Sequence, residues 1–364
     1  MKKILIVVGT RPNFIKVTQF KKAGSAFKNI DIKIVHTGQH YDRKMADVFF
    51  EQFGLTPDFF LNISNGSPNT QMAEIMLGVE KVIREYAPTL MIVVGDVNST
   101  LAAALAANKM NVKLAHIESG LRSYDRTMPE EFNRVLTDEL TDYFFVTEQS
   151  GIDNLKKENK NSENIFFVGN TMIDTMVAFE EEIQRNDILK KLNVEPKKFV
   201  LMTMHRPATV DQKEGIEKLL ELMEFITKKY KLIFPIHPRT IKKIKDFKLD
   251  AGYQKNSNLI LTEPLDYFAF QKLIFDSKFI LTDSGGIQEE STFRKIPCLT
   301  LRANTERPST TDMGTNTLIP FDLRTISDSI AKIEKGEYKK GIVPPLWDGH
   351  ATTRIVEKII KITP

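Results

Sequence analysis

The sequence has few of the residues that build disulfide, metal or redox sites. Its 364 residues include one cysteine and six histidines. One cysteine excludes a disulfide within the chain, and the apolar run IPCLTL around Cys298 predicts a buried, inert thiol. No two histidines have the spacing and companion ligands of a metal site, so we expect no metal. The lack of cysteine pairs favours a reducing, cytoplasmic compartment.

Long hydrophobic runs and a strong charge of one sign are also absent. Hydrophobic residues make up 41% of the chain, and no apolar run approaches the roughly 18 residues that span a bilayer. The net charge of +4 comes from lysines spread over the whole length, which does not indicate a nucleic-acid groove. We therefore expect neither a membrane protein nor a nucleic-acid-binding protein.

The two common glycine-rich nucleotide loops are missing. The first apolar run ends in Gly-Thr-Arg-Pro rather than in three spaced glycines, and no Walker-type lysine loop occurs. We therefore expect no bound cofactor, and any phosphates that the protein binds are expected to belong to its substrate.

What the sequence does contain is an alternation of short β-branched runs with segments of helical periodicity. KILIVVG, TLMIVVGD and KFILTDSGG are typical of strands buried on both faces, and EGIEKLLELMEFITKKY is the clearest amphipathic helix. The alternation predicts the α/β class, with two Rossmann-like doubly wound domains facing a central cleft. We place these domains at 1–169 and 170–364, and the last helix is free to pack back on the N-terminal domain.

In such sheets ligands bind at the carboxyl ends of the strands, so the polar residues of those loops are the site candidates. In LTDSGGIQEE, Ser284, Gly285 and Gly286 precede a helix, where free N–H groups and missing Cβ atoms favour a phosphate. A plain helix cap is the alternative. Glu290, in the same helix, is placed to accept hydrogen bonds from the hydroxyls of a ribose.

Three cations belong to strand-end loops, where they could contact a diphosphate. Arg11 and Lys16 belong to GTRPNFIK after the first strand, and Arg307 belongs to NTERPST. Lone cations are usually surface charges, and Arg307 could instead pair with Glu306. Only their place in these loops favours a binding role.

Carboxylates and a histidine follow other strands or open helices: Asp96, Glu118, Glu130 and His205. Such a set fits either proton abstraction and return or cleavage of a glycosidic bond. Asp96 could instead cap the helix NSTLAAALAA, and Glu118 could pair with Arg122. His116, inside an apolar strand, is predicted to be a satisfied core residue.

Together these loops resemble the non-hydrolysing UDP-N-acetylglucosamine 2-epimerases. Ordered matches run nearly from end to end, including GTRPNFIK, VVGDVNSTLAAALAA, HIESGLRS, PEEFNRVLTDELTDYFFVTE, DSGGIQEE and TERPST. The resemblance implies a fold similar to the GT-B glycosyltransferases, with UDP held mainly by the C-terminal domain. It also implies a homodimer that supplies precursors for surface polysaccharide.

The activity implied by the resemblance is reversible inversion at C2 of UDP-N-acetylglucosamine, giving UDP-N-acetylmannosamine. In the family's chemistry the C2 proton is removed as UDP leaves C1, a 2-acetamidoglucal is held, and UDP then adds back. Matched residue by residue, the catalytic positions fall on Asp96, Glu118, Glu130 and His205. The positions for UDP contacts fall on Arg11, Lys16, Ser284, Gly285, Gly286, Glu290 and Arg307.

One loop departs from the family pattern. Many bacterial members continue the histidine as His-Arg-Arg-Glu, whereas this chain reads HRPATVD. In those members a second UDP-N-acetylglucosamine binds as an activator, and the residues implied for that site here are Gln39, Arg206 and His237. The departure also leaves open a different sugar, such as a diacetamido uronate or a 6-deoxy amino sugar.

Other functions stay open on the same scaffold. A hydrolysing epimerase would release UDP and free N-acetylmannosamine, although that variant typically replaces the GTRP loop. A GT-B glycosyltransferase would need an acceptor. A nucleotide-sugar sensor would bind without turnover.

Overall fold

The chain folds as two compact units, each built on one parallel β-sheet. The computed structural model of the protein describes residues 1–38, 50–64, 66–249 and 256–363, with 207 and 208 given as backbone only. One unit comprises Met1–Ala178 with Pro345–Pro364, and the other comprises Phe179–Pro344. The predicted α/β class with two Rossmann-like sheets is confirmed.

The first unit has a seven-stranded parallel sheet in the order β3-β2-β1-β4-β5-β6-β7. Its strands are β1 Lys2–Val8, β2 Ile30–His36, β3 Phe59–Phe60, β4 Leu90–Val94, β5 Lys113–Ile117, β6 Tyr143–Val146 and β7 Ile165–Phe167. Its helices include Arg11–Ile15, Phe20–Gly24, Pro68–Tyr86, Asn98–Lys109, Pro129–Leu140, Gln149–Lys157, Thr171–Ala178 and Ala351–Ile362, with a 3₁₀ turn at Ser162–Asn164.

The second unit has a six-stranded parallel sheet in the order β10-β9-β8-β11-β12-β13. Its strands are β8 Phe199–Thr203, β9 Lys231–Pro235, β10 Leu259–Thr262, β11 Phe279–Thr282, β12 Cys298–Leu301 and β13 Asn316–Ile319. Its helices include Glu180–Arg185, Ile188–Lys191, Pro207–Val210, Lys213–Thr227, Pro238–Asp246, Tyr267–Asp276, Gly285–Arg294, Pro308–Asp312 and Leu323–Glu334.

The strand orders decide where each unit is able to bind a ligand. In both sheets the chain reverses direction across the sheet at one place, between β1 and β4 in the first unit and between β8 and β11 in the second. Loops that leave neighbouring strands at such a place diverge to opposite faces and open a crevice. The four loops after these strands contain most of the residues predicted to form the site.

The strand cores are aliphatic because both faces of each sheet are covered. All five residues of β4 are buried, and helix Asn98–Lys109 packs close to the sheet through a run of buried alanines. Cys298 in β12 is buried as predicted, and burial raises the pKa of its thiol to about 11. No helix among the described residues is long and apolar enough to cross a bilayer.

The division between the units falls after Ala178, one short helix beyond the predicted position at 169. Helix Thr171–Ala178 stays with the first unit because Asp174, which is buried, caps the last helix. Its carboxylate accepts a hydrogen bond from the backbone N–H of Ala351 at 3.1 Å and another from Thr352. The last helix therefore also packs on the first unit.

Asp174→Ala is expected to weaken the docking of the last helix. Loss of a helix cap costs about 1–2 kcal/mol of unfolding free energy. The single tryptophan, Trp347, is buried beside this helix and donates to the carbonyl of Thr147 at 3.0 Å, so its fluorescence reports the transition in urea. Asp328→Ala, an exposed aspartate of the second unit, is the control. Equal urea midpoints for the two variants would contradict the capping role.

Candidate active site

In the first unit, the candidate residues begin with the loop after β1. Pro12 lies at the start of helix Arg11–Ile15, and Thr10 donates a hydrogen bond to Asn13 at 2.8 Å. Asn13, buried, donates in turn to the carbonyl of Val94 at the end of β4 at 3.1 Å. The loop after β1 is therefore tied to the end of the neighbouring strand.

Lys16 and Glu118 form a buried ion pair across this crevice. Lys16 Nζ lies 2.6 Å from Glu118 Oε2, and the two side chains are 6% and 3% exposed. Gly95, which has a φ of +67°, faces the pair, and a Cβ there would lie 3.5 Å from Glu118 Oε2. Glu118 thus pairs with Lys16 rather than with Arg122, the alternative partner.

Glu118 carries two features that are unusual for a buried residue. Its φ of +69° lies in the left-handed region, which costs a residue with a side chain about 1–3 kcal/mol. Its Oε1 is buried and has no hydrogen-bond partner among the described residues. Strain together with an unsatisfied carboxylate oxygen is typical of a functional position.

Asp96 follows β4 and Gly95, and it is held by an arginine. Arg134 approaches Asp96 Oδ2 with Nε at 3.0 Å and Nη2 at 2.7 Å, and its Nη1 pairs with Glu131. The side chain of Asp96 keeps 24% exposure. The helix Asn98–Lys109 has Val97 at its N-cap, so Asp96 is not the cap that the sequence left as an alternative.

Two adjacent glutamates at the start of helix Pro129–Leu140 have opposite environments. Glu131 is buried and accepts hydrogen bonds from Ser123 N and Oγ and from Tyr124 N, each at 2.9 Å. It fixes the preceding loop. Glu130, the predicted catalytic residue, is exposed in the first turn of the helix. Only Glu130 is therefore accessible to a ligand.

His116 supports the loop that carries Asp96. Its Nδ1 lies 2.7 Å from Asp138 Oδ1, and its Nε2 lies 2.8 Å from the carbonyl of Gly95. Burial alone would raise the pKa of Asp138, but His116 and Arg122 outweigh it and hold that pKa below its usual value. The prediction that His116 is a satisfied core residue is confirmed.

The second unit repeats this arrangement between β8 and β11. Asp283, 1% exposed, accepts hydrogen bonds from the backbone N–H groups of His205 at 3.0 Å and Arg206 at 2.9 Å. Its Oδ1 also lies 2.7 Å from His205 Nδ1. Burial raises the pKa of Asp283, but these contacts outweigh it and lower that pKa. Asp283 therefore holds the exposed His205 ring through Nδ1, and the other ring nitrogen lies on the far side of the ring.

The turn after β11 has the geometry of an anion-binding helix start. Ser284 occupies the N-cap position of helix Gly285–Arg294, and its side chain makes no capping hydrogen bond. A Cβ at Gly285 would lie 2.8 Å from both Arg307 Nη1 and Glu306 Oε1, so a side chain there would displace the ends of these two residues. The arginine therefore lies directly at this helix start.

Arg307 is fixed by two carboxylates. Its Nε lies 2.9 Å from Glu289 Oε2, and its Nη1 pairs with Glu306. The pairing with Glu306 that the sequence left as an alternative is therefore present, in addition to the place at the helix start. Glu289 is fully buried and has a supporting part in the turn.

Glu290 lies one residue further along and has its own partner. Its Oε1 accepts a hydrogen bond from Gln271 Nε2 at 2.6 Å, and both residues are buried. Burial, followed by the charge of Glu290, raises the pKa of the nearby Tyr267 hydroxyl well above its usual value. Gln271 orients Glu290, the carboxylate predicted to contact a ribose, and no sequence pattern indicated this role for Gln271.

The residues implied for a second nucleotide-sugar site are only partly described. Gln39 lies outside the described residues. Arg206 follows His205, and His237 is the exposed N-cap of helix Pro238–Asp246, where its Nδ1 accepts from Arg239 N at 3.1 Å. Their proposed role stays a prediction.

The structure therefore groups the predicted residues by unit. In the first unit, the loops after β1, β4 and β5 carry Arg11, Lys16, Asp96 and Glu118. In the second unit, the loops after β8, β11 and β12 carry His205, Ser284, Gly285, Gly286, Glu290 and Arg307. No group of three or more potential metal ligands occurs in the part of the chain that the structure describes.

Sequence comparison identifies the family. Residues 22–360 match the family model described as UDP-N-acetylglucosamine 2-epimerase. The chain belongs to this family. A UDP-N-acetylglucosamine 2-epimerase of Methanococcus maripaludis is 40% identical over 362 residues, with 98% of each chain covered. A UDP-2,3-diacetamido-2,3-dideoxy-D-glucuronate 2-epimerase of Pseudomonas aeruginosa is 35% identical over 364 residues, with 99% of this chain and 100% of that one covered.

Solved structures of the 2-epimerase family share the fold. A crystal structure of Methanocaldococcus jannaschii UDP-GlcNAc 2-epimerase in complex with UDP-GlcNAc and UDP has a TM-score of 0.88, with 37% identity and 99% of each chain covered. The predicted GT-B-like α/β class and the predicted enzyme class, an epimerase, are therefore confirmed. The roles of individual residues stay predictions.

Lys16→Met is expected to destabilise the first unit of this 2-epimerase. It leaves a buried carboxylate without its counter-charge, which costs about 3–5 kcal/mol of unfolding free energy. Adding Glu118→Gln removes that charge and should restore part of the loss. Lys113→Met breaks an exposed pair with Asp142 and should cost at most about 1 kcal/mol. Urea unfolding followed by Trp347 fluorescence tests this order, and equal losses for Lys16→Met and Lys113→Met would contradict it.

Asp283→Asn is expected to lower stability by about 1–3 kcal/mol, because hydrogen bonds to a charged acceptor are lost. The pKa of Asp283 is lowered on folding, so its contribution is full above the unfolded value, about 4, and fades as pH falls through the folded value. Urea unfolding followed by circular dichroism from neutral to acidic pH measures it, with Asp328→Asn as the control. A difference from wild type that grows on acidification would contradict this assignment.

Proposed function

We propose that the protein interconverts UDP-N-acetylglucosamine and UDP-N-acetylmannosamine by reversible inversion at C2. The observation that carries the proposal is Glu118, whose Oε2 is neutralised by Lys16 while its buried Oε1 has no partner among the described residues. An unsatisfied carboxylate oxygen in a strand-end loop is suited to accept a proton from a substrate. The names and bound ligands of the relatives support the same substrate.

The first unit would handle the C2 proton. One carboxylate of the pair Asp96 and Glu118 takes the proton as the C2–H electrons form the C1–C2 double bond, and the C1–O bond to UDP breaks. In the second half of the reaction, the C1–O bond to UDP forms again while a proton is delivered to the opposite face of C2. Glu130, exposed at a helix start, would relay or tune that proton. Division of the two roles between Asp96 and Glu118 stays open.

The second unit would hold the UDP that leaves and returns. Charge develops on the diphosphate as the C1–O bond breaks, and preorganised donors stabilise it most at that moment. The N–H groups at the start of helix Gly285–Arg294 and the guanidinium of Arg307 would supply such donors. His205, whose Nδ1 faces Asp283, would add a donor at its other ring nitrogen when the ring is protonated at both nitrogens. Glu290, held by Gln271, would accept from the ribose hydroxyls.

Incubation with UDP-N-acetylglucosamine in deuterated water, followed by proton NMR, tests the proposal. We expect deuterium at C2 of both recovered nucleotide sugars, because the abstracted proton exchanges with solvent. Asp96→Asn and Glu118→Gln should each slow this exchange by at least about 100-fold, the usual share of a general acid or base. Asp328→Asn removes an exposed carboxylate of the second unit and should leave the rate unchanged. Formation of the epimer without deuterium at C2 would contradict the mechanism.

A related amino sugar is the second candidate substrate. The relative from Pseudomonas aeruginosa is named for a diacetamido glucuronate, and its similarity covers almost the whole chain. Assaying both nucleotide sugars, together with a 6-deoxy amino sugar, under one set of conditions ranks them by kcat/KM. A higher value for the diacetamido uronate would replace the proposed substrate.

The same samples separate the remaining alternatives. Stoichiometric free UDP would indicate a hydrolysing epimerase, and turnover only with an added acceptor would indicate a glycosyltransferase. Binding without turnover would indicate a sensor. The homodimer, the cytoplasmic location and the supply of polysaccharide precursors stay predictions.

A further inference from the structure

Arg302 is a buried arginine that makes few hydrogen bonds to the described residues. It directly follows β12, at the same edge of the sheet as the Ser284 turn, and its side chain is 2% exposed. Its Nη2 lies 3.0 Å from Glu306 Oε2. Its Nε and Nη1 are buried and have no hydrogen-bond partner among the described residues. Burial removes water from those two donors, and no hydrogen bond to the described residues offsets the free energy that this costs.

Two further arginines lie near Arg302. Burial lowers the pKa of Arg302, and the neighbouring charges of Arg206 and Arg307 act in the same direction, while Glu306 opposes them. Three guanidinium groups therefore share this corner of the second unit. Like charges brought together in a buried site are stabilised by a bound anion.

Glu306 connects Arg302 to the helix start. Its Oε2 pairs with Arg302, and its Oε1 pairs with Arg307 Nη1. That same oxygen and Arg307 Nη1 each lie 2.8 Å from the position of a Cβ on Gly285. Only the carboxylate of Glu306 therefore separates Arg302 from Gly285, the first residue of the ten-residue helix Gly285–Arg294. The initial N–H groups of that helix point away from it.

We propose that Arg302 is a further diphosphate-binding residue, whose two unsatisfied donors take phosphate oxygens of a nucleoside diphosphate bound at the Gly285 helix start. The inference rests on the proposed function, because it assumes that this turn receives the UDP group. It adds a residue to which the sequence analysis gave no role. A diphosphate fits better than a single phosphate because donors lie on both sides of Glu306.

Arg302→Met tests the proposal, since methionine removes the charge and all donors while keeping an unbranched side chain. Titration calorimetry with UDP, UMP, uridine and inorganic phosphate measures the affinities. We expect UDP affinity to fall by about tenfold, the equivalent of one charge-assisted hydrogen bond, with a smaller loss for UMP and none for uridine. Arg324→Met, an exposed arginine of the same unit, should change none of these affinities.

Arg302→Lys provides a second variant that keeps a cation for Glu306. It should fold as wild type and bind UDP with an affinity between those of wild type and Arg302→Met. If Arg302→Met fails to fold, the comparison of Arg302→Lys with wild type decides the question. Unchanged UDP affinity in the lysine variant would then overturn the proposal.

The outcomes separate this inference from the proposed function. Wild-type UDP binding together with an unchanged affinity in Arg302→Met overturns the role of Arg302 alone. An equal loss for UDP and uridine indicates a structural role and also overturns it. Absence of UDP binding by the wild-type protein overturns both proposals. Tighter wild-type binding of inorganic phosphate than of UDP overturns the diphosphate assignment.

Discussion

The candidate site depends on the pairing of carboxylates that parallel strands bury at their carboxyl ends. A charge in such a place is stable only when a cation or N–H donors approach it closely. Glu118 meets this requirement through Lys16, and Asp283 meets it through His205 and two backbone amides. Each pair joins two different loops. The pairs that stabilise the fold therefore also bring together loops that carry candidate site residues.

The two units differ in the side chains that they place at their strand ends. The first unit places carboxylates at its strand ends, including Asp96 with partial exposure and Glu118 with one oxygen that has no partner in the part of the chain that the structure describes. At its strand ends the second unit places the cations Arg302 and Arg307 and the helix start at Gly285, and two donors of Arg302 have no hydrogen-bond partner among the described residues. Proton transfer needs the former and a diphosphate needs the latter. The proposed reaction requires both.

Unfavourable local features are concentrated at these strand ends. Glu118 has a left-handed backbone, and Arg302 has two donors without partners among the described residues. Neither feature improves the stability of the empty protein. Well-packed sheets, with fully buried strands such as β4, supply the stability that tolerates them. Under the proposed function, the substrate would use the carboxylate of Glu118 and the donors of Arg302.

The sequence by itself determined the fold class, because buried parallel strands and amphipathic helices are local patterns of hydrophobicity. The quoted runs KILIVVG, TLMIVVGD and KFILTDSGG form β1, β4 and β11, whereas the edge strands β3 and β13 carry little apolar periodicity. The strand-end rule also located the candidate loops. Only the tertiary structure decided the partners: Lys16 meets Glu118, 102 residues away, rather than a loop neighbour, and Glu131 is buried while Glu130 is exposed. Such pairings depend on which strands lie side by side and on helix rotation, neither of which leaves a local signal.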